Sequence, residues 1–175
     1  MTDNVRTVSI GEVIVSNALN DVLVAYGIGS CVAVCLYDPV AKIGGMLHAL
    51  LPTAPNGNPR SGNPEPSAKY VDHGVSLLIG SLVELGAKPT RLVAQLCGGA
   101  QVLNAPGFDG WLNIGERNVK AARSALRAAG LRIKAQATGG QIGRTVRLYI
   151  ADGRVTLRSL GRSEQPISIG NKVTG

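Results

Sequence analysis

The chain has 175 residues and a formal net charge of +7, with one Trp and one Phe among its 45% apolar residues. That length suits one domain, with a core built from Val, Leu, Ile and Ala. The basic residues are dispersed, without a basic tail or interleaved aromatics, which speaks against a nucleic-acid binder. No apolar run reaches membrane-spanning length, so no membrane insertion is expected. Met1-Thr2-Asp3-Asn4 does not read as a secretory signal. Three cysteines beside two histidines fit neither a disulfide framework nor zinc-finger spacing, and free thiols suit a reducing compartment.

Residues 5–10 and 11–15 read as a strand, a glycine break and a short strand, and residues 21–26 as a further buried strand. That strand delivers the chain into Gly27-Ile28-Gly29-Ser30-Cys31. Glycines at 27 and 29 allow a tight bend and close backbone approach. Such a bend exposes the Cys31 side chain and can aim the backbone N–H groups around Gly29, Ser30 and Cys31 at a bound carbonyl. Two apolar runs, 32–37 and 43–51, then flank Asp38-Pro39-Val40-Ala41 and predict a hairpin with Pro39 at the second turn position. If residues 38–41 form the loop, Tyr37 pairs with Lys42 and Cys31 lies directly across from His48. Opposed residues share one face with Cβ atoms about 4.5–5.5 Å apart, close enough for a thiol and an imidazole to meet.

Residues 53–67 are crowded with Pro, Asn and Gly, which excludes a helix or a central strand. Lying just after His48, this stretch is expected to form a flexible flap beside the site, although a plain insertion fits the same composition. Apolar residues at 71, 75, 78, 79, 82 and 85 have helical spacing, and Gly86 is a suitable stop. His73 falls within this helix and reads as an ordinary helix residue. Residues 91–97 predict a strand closed by Gly98-Gly99, with Cys97 as a small core hydrophobe. A second helix spans 115–129, capped near Asn113. It buries Val119, Ala122, Ala125, Leu126 and Ala129, and turns Arg117, Lys120, Arg123 and Arg127 to solvent. Residues 132–137, 144–151 and 154–160 alternate as strands with turns at Gly139-Gly140 and Asp152-Gly153. Residues 161–175 read as a loosely attached tail. Together the elements predict one domain over 1–175, an α+β layered sandwich of mostly antiparallel strands with helices packed on sheet.

A cysteine beside a histidine supplies the parts for acyl transfer or amide hydrolysis. The imidazole promotes the thiolate, the thiolate attacks a carbonyl, and the imidazolium protonates the departing nitrogen. On that chemistry Cys31 should be alkylated well below the ordinary thiol pKa of about 8.5. Cys35, four residues on among apolar neighbours, reads as core.

The stretch Gly27-Ile28-Gly29-Ser30-Cys31-Val32-Ala33-Val34-Cys35-Leu36-Tyr37-Asp38-Pro39, followed by Ala41 to Pro52, resembles the signature of the chemoreceptor glutamine deamidase family, CheD. The likeness continues through Lys69-Tyr70, Leu85 to Lys88, Gly98-Gly99-Ala100, Ile114 to Val119 and Gly139 to Arg144. The resemblance implies the fold of the deamidating toxins, a cytoplasmic chemotaxis enzyme, and hydrolysis of receptor glutamine amides to glutamate with release of ammonia. It implies no cofactor and no metal, a methyl-accepting chemoreceptor as substrate, and a CheC-type phosphatase as regulator. Carried onto this chain, Cys31 is the nucleophile and His48 the base and acid. The family triad also has a threonine six residues before the cysteine, bonded to the histidine, and here that position is Ala25. The alternative is therefore a weakened or inactive module that acts by binding receptor or phosphatase.

Overall fold

The computed structural model describes residues 2–55, 66–102 and 113–167. In chain order these form β1 (Asn4–Thr7), β2 (Glu12–Ser16), β3 (Asp21–Ile28), β4 (Val32–Asp38), β5 (Ile43–Ala49), α1 (Val71–Glu84), β6 (Val93–Gly98), α2 (Ile114–Ala128), β7 (Ile133–Thr138), β8 (Arg144–Tyr149), β9 (Val155–Ser159) and β10 (Gln165–Pro166). The strands make two five-stranded sheets, ordered β1-β3-β8-β9-β10 and β2-β5-β4-β6-β7. The β1–β3 and β6–β7 pairs are parallel, and the other pairs are antiparallel. This is the expected α+β layered sandwich.

Side-chain alternation sets the layers. In β4, Val32, Val34 and Leu36 pack with Val75, Leu78 and Leu82 of α1 and Val119, Ala122 and Leu126 of α2. Ala33 and Cys35 turn the other way, into a second core with Leu23, Ala25, Val146 and Leu148 of the other sheet. A strand covered on both faces reads as an unbroken apolar run, and β4 is buried along its whole length. Both helices stop where the glycines predict. Gly86 (φ +109) and Gly130 (φ +73) take left-handed backbone. Ala87 N–H and Leu131 N–H reach back to the carbonyls of Leu82 and Leu126, at 2.9 Å each, which satisfies carbonyls the helix leaves free.

The hairpin register differs from the expectation. Tyr37 pairs with Gly44, and Ala33 rather than Cys31 lies opposite His48. The reason is at the turn: Asp38 stays in the ladder against Ile43, so the loop is 39–42 and Lys42 closes it at φ +54. The Asp38 carboxylate accepts from the Val40 and Ala41 amides at 3.0 and 3.1 Å, an Asx arrangement that fixes the turn start. It also accepts from Lys88 N–H at 3.0 Å and from the Arg91 guanidinium at 2.6 Å. Arg91 lies in a short 3-10 turn, Pro89–Arg91, so the strand expected from 91 begins at Val93. The partner of Cys31 is thereby shifted by two positions, an even number, and His48 stays on the same face as Cys31.

The end of the chain also departs from expectation. Gln165 and Pro166 pair with Leu157 and Thr156 of β9, and the Ile167 amide donates to Val155 at 3.0 Å. The Glu164 carboxylate accepts from Tyr149 at 2.9 Å and Arg147 at 3.1 Å. Residues 161–167 are thus pinned rather than loose, because an edge strand offered unpaired groups for them to satisfy. Residues 168–175, and most of the 53–67 flap, lie outside the described residues.

Candidate functional site

Cys31 occupies the bend between β3 and β4, at one rim of the space between the sheets. Three successive carbonyls of the bend turn to one side. Gly29 O accepts from Ala100 N–H and Cys31 O from Gly99 N–H, both at 2.8 Å, and Ser30 O accepts from the Asn118 amide at 2.8 Å. Among the described residues, the Gly29, Ser30 and Cys31 amides donate to no backbone carbonyl. This leaves the expected oxyanion donors at Gly29 and Ser30 without a main-chain acceptor. Glycine is needed where the segments meet. A Cβ on Gly98 (φ +110) would stand 2.3 Å from Cys31 O, and one on Gly115 would stand 2.6 Å from both Gly99 O and Ala100 O. The first turn of α2 is therefore in backbone contact with the Gly99-Ala100 segment, whose amides hold the cysteine bend.

The bend does not present Cys31 to solvent. The residue is 6% exposed and packs with Ile28, Ala33 and Cys97 in the inter-sheet core. Burial raises its thiol pKa, and the bond from its own backbone N–H offsets this only in part. The expectation that the bend exposes Cys31 is thus overturned, because it folds inward against the second sheet.

His48 lies on β5, on the same inter-sheet face, one register step along from Cys31. Its direct neighbours are Ala33 on β4 and Glu12 on β2. Diagonal neighbours of this kind stand about 7–8 Å apart at Cα, within reach of long side chains. His48 is 2% exposed. Its Nδ1 lies 3.1 Å from the Val8 carbonyl, which can only accept, so the proton is on Nδ1 and Nε2 carries the lone pair. Among the described residues, Nε2 is buried and has no hydrogen-bond partner. Burial lowers the His48 pKa, and the Val8 bond counters this only partly, so the ring is neutral at rest.

The Val8 carbonyl is itself held. Val8 N–H donates to Val24 O at 2.8 Å, Gly11 N–H to His48 O at 2.8 Å, and Glu12 N–H to Ser9 O at 3.1 Å. The Glu12 carboxylate accepts from Ser9 N–H at 2.8 Å. Parallel pairing of β1 along β3 carries Val8 past Val24, beside Ala25. Ala25 is wholly buried in the inter-sheet core, opposite Val146.

The remaining candidates separate cleanly. Cys35 and Cys97 are fully buried core residues. Burial raises both thiols, Cys97 to about 12. His73 is half-buried on α1 and accepts from Ser67 N–H at 3.4 Å, far in sequence from the rim residues. The residue that sequence reasoning missed is Asn118. It has no exposed surface, and its amide bonds Ser30 O and, at 3.0 Å, Leu50 O. The available signal was an amide within the apolar stripe of α2.

Comparison with known proteins gives a consistent result. The family described as CheD chemotactic sensory transduction matches residues 50–159. The protein named "Probable chemoreceptor glutamine deamidase CheD" from Symbiobacterium thermophilum is 42% identical over 93% of this chain and 96% of its own length. The identically named protein from Pyrococcus horikoshii is 46% identical over 87% of this chain and 91% of its own. One solved structure, the Bacillus licheniformis hypothetical protein YfiH, matches with a TM-score of 0.42 and 17% identity, over 75% of this chain and 57% of that one. That likeness is too loose to carry an argument.

Proposed function

The chain belongs to the CheD family, and on that premise we propose that it hydrolyses glutamine side-chain amides of methyl-accepting chemoreceptors to glutamate, releasing ammonia through a Cys31 thioester. On this reading residues 1–175 act as one cytoplasmic deamidase domain, and a CheC-type phosphatase is its second partner. The observation that carries the mechanism is the His48 ring. Its Nδ1–H is engaged by a main-chain carbonyl, while Nε2, on the Cys31 face of the sheet, is buried with no partner among the described residues.

The steps follow from that tautomer. Substrate binding closes the one-step gap along the register, and the Cys31 thiol proton passes to Nε2. The thiolate sulfur then bonds the glutamine carbonyl carbon, and the oxyanion is held by backbone N–H groups at Gly29, Ser30 and Cys31. As the tetrahedral intermediate collapses, the Nε2 proton goes to the departing nitrogen and ammonia leaves. Water, deprotonated by the same Nε2, attacks the thioester. The C–S bond breaks, glutamate is released and the thiol is restored. Burial keeps both groups neutral until substrate arrives, which protects the thiol from adventitious alkylation and oxidation.

The test is to incubate the protein with a chemoreceptor cytoplasmic fragment and follow both the amide-to-acid mass shift and ammonia. Cys31→Ala should abolish both, and His48→Ala should slow them by about 10²–10⁴-fold. Equal activity in wild type and Cys31→Ala refutes the reading. Ala25 supports a second reading, a module that binds receptor or phosphatase without turnover. It predicts tight binding that survives both substitutions, with no ammonia at all.

A further inference from the structure

The cysteine lies in the β3–β4 bend and the histidine on β5, and neither holds the other. Among the described residues no hydrogen bond joins Cys31 to His48, and His48 Nε2 has no partner. What ties their segments together is one side chain from the helix layer. Asn118 donates one amide hydrogen to Ser30 O, the residue just before Cys31, and the other to Leu50 O, two residues after His48. Both hydrogens are used, and the two acceptors belong to the two chain segments that carry the reacting groups. The other buried side chains of α2 are Val119, Ala122 and Leu126, so the amide is the polar exception on this face.

The position is also fixed from behind. Gly115 brings the first turn of α2 to backbone contact with Gly99 and Ala100, and these two amides hold the carbonyls on either side of Ser30. A side chain three residues further along the helix projects from the same face, which brings the Asn118 amide to the remaining carbonyl. Among the described residues, Asn118 Oδ1 is buried without a hydrogen-bond partner. A Leu or Ala here would remove that orphaned oxygen but strand the Ser30 and Leu50 carbonyls, so it is these two acceptors, not packing, that call for asparagine.

We propose that Asn118 is the positioning residue that sets the separation and alignment of Cys31 and His48, by strapping the Ser30 and Leu50 carbonyls to one amide. This rests on the reading of Cys31 and His48 as the reacting pair. Asn118 touches no substrate atom in that reading, and it acts through the two segments it joins.

The experiment is a double-mutant cycle on the rate of ammonia release from a chemoreceptor cytoplasmic fragment. In the native background His48→Ala should slow release by about 10²–10⁴-fold, and in the Asn118→Ala background its effect should be smaller by roughly tenfold or more. On the receptor fragment, Asn118→Ala should lower kcat with KM unchanged. A purely structural role would lower the melting temperature but leave the His48 effect the same in both backgrounds, and that result overturns the proposal. Should Asn118→Ala fail to fold, the wild-type protein decides: the Asn118 carboxamide protons must be strongly protected from hydrogen exchange, and exchange at a solvent rate refutes the strap. The two levels fail differently. Absence of a His48 effect even in the native background, or ammonia release by Cys31→Ala, removes the pair and this inference with it. An intact pair with a cycle that shows no coupling removes only Asn118.

Discussion

Ala25→Thr tests which group orients His48. The sequence resemblance implies a threonine here, and this chain has a wholly buried alanine in the inter-sheet core. The substitution adds a methyl and a hydroxyl among Val8, Leu23, Ile28, Cys31 and Val146. Overpacking a filled core costs about 1–3 kcal/mol, and a buried hydroxyl without a partner costs about 1–3 kcal/mol more. Set against a domain stability of about 5–15 kcal/mol, and at about 2–4 °C per kcal/mol for this size, the melting temperature should fall by roughly 4–24 °C. Catalysis should barely gain. His48 Nδ1 already has an acceptor at 3.1 Å, and exchanging one neutral hydrogen bond for another nets under about 1 kcal/mol, at most about fivefold in rate. Thermal unfolding by circular dichroism gives the first quantity, and the initial rate of ammonia release from a receptor fragment gives the second. A rate increase well beyond tenfold, with an unchanged melting temperature, would refute the view that the Val8 carbonyl does the orienting.

Three further outcomes follow from the same geometry. Gly98→Ala forces a left-handed backbone and a Cβ 2.3 Å from Cys31 O, so it should cost about 2–4 kcal/mol and distort the cysteine bend; native-like melting together with native alkylation of Cys31 would contradict it. Asp38→Ala strands the Arg91 guanidinium, but Arg91 keeps 26% of its side chain in water, which puts the loss near the lower end of the buried-pair range, about 3 kcal/mol. Burial opposes ionisation of Asp38, yet Arg91 and the Lys88, Ala41 and Val40 amides outweigh it and hold the carboxyl far below the ordinary range. Its stabilisation is therefore complete above the unfolded value of about 3.9 and is lost as pH falls toward the native value. Denaturant midpoints at successive acid pH values should fall more steeply in wild type than in Asp38→Asn, which keeps only the share due to other depressed carboxyls such as Asp21 and Glu164. For the candidate pair, burial depresses His48 and raises Cys31. The unfolded chain takes up the histidine proton first, so stability should fall as pH drops below about 6.5, a slope absent in His48→Gln. Iodoacetamide should label Cys31 of the free protein with a midpoint above about 8.5, and a lower midpoint would mean that the resting pair is an ion pair.

The elements of this fold were legible because their signals are local. The apolar stripe of α1, the glycines that stop both helices and the unbroken apolar run of β4 each sit inside one segment. The hairpin register was not legible from its loop residues alone. Asp38 is fixed partly by Arg91, 53 positions away, and that bond helps move the turn along by one residue. The same limit explains the site. The thiol and imidazole were visible as residue types, and the even shift kept them on one face. The groups that hold them are the carbonyls of Val8, Ser30 and Leu50, and a main-chain carbonyl leaves no mark in the sequence because every residue has one. Val8 reaches His48 across 40 positions and Asn118 reaches Ser30 across 88, so only the closed sandwich brings them together. This bears on Ala25. A missing threonine side chain is weak grounds for an inactive site when its bond to the histidine is one that a backbone carbonyl can accept. Here β1 runs parallel to β3 and delivers such a carbonyl beside the vacated position.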